Sequence, residues 1–146
     1  MIKEKNKMKK KINILFVCRY NRFRSRIAEA YFKKINKNKK ITVKSAGLFK
    51  GSPLSSETIK NAKRYGLDIV GRVNGLSSAV IKNQNIIVVV ADDVPSQVFD
   101  KSRKMGKKVL LWNIKDANYK DQKSVEKVIK KIIKKVDDLN NKLKNK

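Results

Sequence analysis

A chain of 146 residues is long enough to bury one core, and 38 Lys+Arg against 12 Asp+Glu give it a formal charge of +26 at pH 7. There is no histidine, so any proton transfer must fall to carboxylate, cysteine, tyrosine or lysine. One cysteine excludes an internal disulfide, and no apolar run approaches the roughly 20 residues of a spanning helix, so the chain reads as soluble and cytoplasmic.

Met1 to Lys10 is expected to be a basic disordered extension, since it lacks the apolar stretch of a signal peptide; one domain is expected over 11–146. Ile12 to Val17 is an apolar run that predicts a strand covered on both faces. The spacing of Ile27, Ala28, Tyr31, Phe32 and Ile35 predicts a helix over Ser25 to Lys37. Asn36 to Lys40 reads as a polar turn and Ile41 to Ala46 as a second strand, closed by Gly47. Ser55 is a candidate N-cap for a helix carrying Ile59, Ala62 and Tyr65, with Gly66 as its stop. Leu67 to Asn74 reads as irregular and Leu76 to Lys82 as a short helix. Asn85 to Ala91 is crowded with β-branched residues and predicts a buried strand, ended by Asp92-Asp93. Pro95 suits the start of a helix with Val98 and Phe99 facing inward and Met105-Gly106 closing it. Lys108 to Trp112 predicts a fourth strand. A loop over Asn113 to Asp121 leads into a helix over Gln122 to Leu143. Its stripe of Val125, Val128, Ile129, Ile132, Ile133, Val136 and Leu139 suits packing on the sheet better than a membrane surface.

Strands alternating with helices imply an α/β fold, a four-stranded parallel sheet with helices on both faces. Ligands in such sheets bind at the carboxyl ends of strands, so Cys18, Ser45, Asp92 and Asp116 are expected along one rim. Cys18 ends the first strand, five residues separate it from Arg24, and Ser25 follows at once. A short loop running into a helix N-terminus is a place where anions bind, because backbone N–H groups there lack intrahelical partners and the dipole is positive. The same field favours a thiolate over a thiol. Val17 to Ser25 therefore predicts one loop that holds both a nucleophile and the phosphate it attacks.

Val17-Cys18-x5-Arg24-Ser25, followed by Ala28-Glu29-Ala30, resembles the low-molecular-weight protein tyrosine phosphatases and the related arsenate reductases. The similarity continues through Ser45-Ala46-Gly47, Arg64-Tyr65-Gly66-Leu67-Asp68, Asn85 to Ala91 and Ile114-Lys115-Asp116. The resemblance implies a phosphatase I-like three-layer sandwich in which Cys18 attacks phosphorus and the Arg24 guanidinium grips two phosphate oxygens as a fork. It implies that Arg19, Tyr20, Asn21, Arg22 and Phe23 cradle the phosphate or a sulfate in its place, that Ser25 donates to the sulfur, and that Ser45 supports Asn21. Asp116 matches the general acid, and Tyr119 a wall against the ring of the substrate. No cofactor or metal is implied, and the partner is a phosphorylated protein or a small aryl phosphate. Three positions differ from the family pattern. Tyr20 stands where glycine is usual, Phe23 where a small residue or second cysteine is usual, and Asp116-Ala117-Asn118-Tyr119 where Asp-Pro-aromatic is usual.

Two other readings compete with a tyrosine phosphatase. An arsenate reductase would need an external thiol, since Cys18 has no partner cysteine. A non-catalytic module could use the charge to hold phosphate or nucleic acid. Lysine, however, is spread over tails, turns and solvent faces as a compositional bias would spread it, so neither nucleic acid nor membrane is expected as a partner.

Overall fold

In the computed structural model, which describes residues 10–144, the first strand, β1 (Ile12–Cys18), lies at the centre of a parallel sheet of order β2-β1-β3-β4. The extension expected over Met1 to Lys10 falls, Lys10 apart, outside the described residues. β2 is Ile41–Gly47, β3 Ile86–Ala91 and β4 Lys108–Ile114, the last two residues longer than expected. The apolar run of β1 is explained by its position. Ile14 and Phe16 face one layer, Leu15 and Val17 the other, and all four are fully buried.

On the Phe16 side pack three helices: α1 (Arg24–Ile35), α2 (Ser56–Lys63) and α5 (Gln122–Lys144). Phe16 meets Phe32 at 6.2 Å and Trp112 at 5.7 Å between ring centroids. Val125, Val128, Ile129, Ile132, Val136 and Leu139 of α5 are buried along the expected stripe, and Tyr31 Oη donates to Asp137 Oδ1 at 2.8 Å to tie α1 to α5. On the opposite face lie α3 (Ser78–Lys82), a 3-10 turn (Ser96–Phe99) and α4 (Asp100–Lys104) around Leu15, Val17, Val89 and Phe99. These are the three layers of an α/β sandwich.

Ser55 caps α2, accepting from the Thr58 N–H at 3.2 Å, and Gly66, at φ +71°, ends the helical turn with Leu67 N–H returning to the Ala62 carbonyl. One expectation fails beyond Pro95. The segment folds as a 3-10 turn followed by a single short helix, and the tighter turn leaves Val98 39% exposed while Phe99 is fully buried. Val98 does not face inward.

Candidate functional site

The cleft is built where β1 runs out. Cys18 pairs with Gly47 as the last rung between β1 and β2, and the five residues after it bend without regular structure into α1. The following segment extends the ladder onto the loop: Leu48, Phe49 and Gly51 N–H groups donate to the carbonyls of Cys18, Arg19 and Tyr20 at 2.8, 2.9 and 3.3 Å. Gly47 is required for this fit, since a Cβ there would stand 2.5 Å from the Tyr20 backbone carbon. Asn21 turns the loop with φ 56°, a left-handed conformation that asparagine tolerates better than most residues.

Cys18 is 3% exposed, and its Sγ lies 2.9 Å from Ser25 Oγ. Behind this pair runs a chain of side-chain hydrogen bonds. Asn21 Nδ2 donates to Ser25 Oγ at 2.8 Å and to Ser45 Oγ at 2.9 Å, and Ser45 Oγ donates to Glu29 Oε1 at 2.6 Å. Because Ser25 Oγ accepts from Asn21, its own proton is free to point at the sulfur. Ser45 stands opposite Phe16, two rungs below Cys18, so it sits beneath the loop and not on the rim where the strand order placed it. The first turn of α1 has no side-chain cap and no acidic residue, which leaves its leading N–H groups available to an anion held over Cys18.

Arg24, 4% exposed, brings its guanidinium into the same cleft. Nη1 donates to the Ile114 carbonyl at 2.9 Å, Nη2 to both oxygens of Asp93 at 3.0 and 3.1 Å, and Asp92 Oδ1 lies 3.6 Å from Nη1. Nε is 3.6 Å from Asp116 Oδ1, which places the candidate acid beside the candidate phosphate clamp. Asp116 Oδ1 also accepts from the Ala117 N–H at 2.9 Å and from Tyr119 Oη at 2.8 Å. Partial burial and the adjacent Asp116 carboxylate push the Tyr119 phenol above its ordinary value, so it stays a hydrogen-bond donor.

Together these groups line a cleft of about 440 Å³ with Cys18 and Arg24 in it, walled by Tyr20, Phe23, Asp116 and Tyr119, and by Thr58 and Asn61 of α2. Phe23 is buried and meets Tyr119 edge-on at 5.5 Å, so the extra residue before Tyr119 still leaves an aromatic wall. Arg22 reaches the Pro53 carbonyl at 3.4 Å. Tyr20 is 44% exposed, with the Arg19 guanidinium over its ring and over Phe49 at 5.4 and 6.0 Å. The Tyr20 hydroxyl accepts from Arg19 Nε, which raises the Arg19 guanidinium further. Four contributors escaped sequence reasoning: Asp93, Glu29, Asn74, whose N–H donates to Asn21 Oδ1 at 2.8 Å, and Arg26. Arg26 carries the one available signal, since a cation in the first turn of a helix opposes the dipole and demands a reason.

A family model described as low molecular weight phosphotyrosine protein phosphatase matches residues 13–146. No curated protein sequence matches the chain. Among solved structures, the YwlE arginine phosphatase from Geobacillus stearothermophilus is similar at 21% identity, covering 92% of this chain and 94% of its own, with a TM-score of 0.80. The low molecular weight protein tyrosine phosphatase from T. tengcongensis shares 26% identity over 90% of this chain and 99% of its own, TM-score 0.75. An arsenate reductase from Archaeoglobus fulgidus shares 24% over 88% and 98%, TM-score 0.69.

Proposed function

The chain belongs to the low molecular weight phosphotyrosine protein phosphatase family, and from that premise we propose that it hydrolyses phosphotyrosine or other aryl phosphate monoesters through a cysteinyl-phosphate. The observation that carries the reading is the convergence of Cys18, hydrogen-bonded to Ser25, with Arg24 and Asp116 in one cleft at the head of an uncapped helix. In the first step the Cys18 sulfur attacks phosphorus and the phosphorus–oxygen ester bond breaks. Asp116 passes its proton to the departing phenol oxygen. Arg24 and the N–H groups of residues 19–24 hold the equatorial oxygens as charge redistributes. In the second step water attacks phosphorus, Asp116 takes its proton, and the sulfur leaves as thiolate. The walls of Tyr20, Phe23 and Tyr119 suit a flat ring. A reducing, cytoplasmic setting would keep the lone thiol competent; among the described residues, no helix is long and apolar enough to cross a membrane.

The test is hydrolysis of p-nitrophenyl phosphate in the presence of chelator. Cys18→Ser is expected to abolish turnover, and Asp116→Asn to slow it by about 10²–10⁴-fold with phosphate binding largely kept. Equal rates for the unsubstituted protein and Cys18→Ser overturn the proposal. Phosphoarginine and phosphotyrosine peptides assayed side by side decide the substrate class. Arsenate-dependent consumption of an external thiol, without ester hydrolysis, would favour the reductase alternative.

A further inference from the structure

Arg26 follows Ser25 in the first turn of α1 and is 6% exposed. Its guanidinium donates to the Ile69 carbonyl at 3.0 and 3.3 Å, to Asn21 Oδ1 at 3.2 Å and to the Arg72 carbonyl. Every one of these acceptors is uncharged. Among the described residues no carboxylate forms an ion pair with Arg26, and Glu29 on the same helix is already engaged by Lys33 Nζ at 2.8 Å and by Ser45. The cation also faces the positive end of the helix dipole. A buried charge without a contact ion pair is unfavourable, and burial holds this guanidinium below its ordinary value, opposed by the charge of Glu29 beyond ion-pair distance and by Cys18.

We propose that Arg26 is a positioning residue for the nucleophile, with the Cys18 thiolate as a counter-charge for its guanidinium and Asn21 as the link between them. The proposal rests on the reading of Cys18 as a reactive thiolate. Asn21 Oδ1 accepts from both Arg26 Nη1 and the Asn74 N–H, which fixes the amide so that Nδ2 donates to Ser25 and Ser45. Ser25 then directs its proton at the sulfur, 2.9 Å away. A positive charge and a donated hydrogen bond both favour the anionic form of the thiol. The other charged or titratable groups around the sulfur do not duplicate this role. Arg22, Arg24, Glu57, Asp116 and Tyr119 line the cleft, Asp92 and Asp93 flank Arg24, Arg19 stacks on Tyr20, and Glu29 is engaged beneath. Arg24 is ringed by three carboxylates within 3.6 Å, whereas among the described residues Arg26 has none within ion-pair distance and Glu29 acts on it only from farther away.

The decisive measurement is the rate of Cys18 alkylation by iodoacetamide as a function of pH, which needs no substrate turnover. For Arg26→Met the midpoint of the profile is expected to move upward by about one pH unit, with alkylation below it slowed about tenfold. Arg26→Lys, which keeps the charge, is expected to recover most of the shift. A folded Arg26→Met protein whose profile coincides with that of the unsubstituted chain overturns the proposal. If Arg26→Met fails to fold, the unsubstituted protein decides. Its Arg26 Nε–H resonance is expected to shift through the same pH midpoint as alkylation, and a stationary resonance overturns the proposal. Absence of p-nitrophenyl phosphate hydrolysis by the unsubstituted protein, with the alkylation profile still displaced in Arg26→Met, would count against the phosphatase reading alone.

Discussion

The hydroxyl of Ser25 has one proton, and the hydrogen bond it accepts from Asn21 leaves that proton to the Cys18 sulfur. Ser25→Ala is expected to lower kcat by about 10–100-fold while changing KM by less than about threefold, because the bond acts on the nucleophile and not on the bound phosphate. Steady-state kinetics on p-nitrophenyl phosphate checks it. A second residue-scale expectation concerns Tyr119, whose phenol is raised in the folded protein above its ordinary value of 10.0. A group raised on folding stabilises below its unfolded value and loses that contribution as pH climbs above it. Stability should therefore fall above about pH 10, and less steeply in Tyr119→Phe, as thermal melts across alkaline buffers would show. Cys18, Arg24 and Ser25 were legible in the sequence because their relation is local, a fixed count of residues between a strand and a helix. Asp93 and the carbonyl of Ile69 were not, since they reach Arg24 and Arg26 from 69 and 43 positions away. No periodicity encodes which distant loop will supply a counter-charge.

Elements were more legible than their partners. The β-branched run of β3 and the apolar stripe of α5 are dictated by burial on both faces or on one. Val98 was misread because inward facing depends on the pitch of the turn after Pro95, which the apolar residues alone do not set. α2 matters beyond packing, since it carries Thr58 and Asn61 into the cleft wall. Its Ser55 cap is worth about 1 kcal/mol, so Ser55→Ala should lower Tm by a few degrees. Ile129, fully buried on α5, is a site where truncation leaves a cavity. Ile129→Ala is expected to cost about 2–5 kcal/mol in denaturant unfolding with the alkylation profile of Cys18 unchanged in the folded protein.

At the scale of the whole molecule, a charge of +26 surrounds a cleft lined by Arg22 and by Tyr20, on which Arg19 stacks. If that field gathers anionic substrates, KM should rise several-fold between about 0.05 and 0.5 M salt while kcat holds steady. A KM indifferent to salt assigns the charge to composition. The position of β1 between β2 and β3 has a kinetic consequence as well. Asn13 and its partner Asn85 lie 72 positions apart, and the Arg24–Ile114 bond spans 90. Loops of that length close late in folding. The walls of the cleft are thus expected to join late, and a chain caught midway would carry Cys18 without Arg24 held beside Asp116. On refolding from denaturant, helical signal should return first and the ability to turn over substrate last. On the proposed reading, the thiol would meet its substrate as a nucleophile only once the chain is whole.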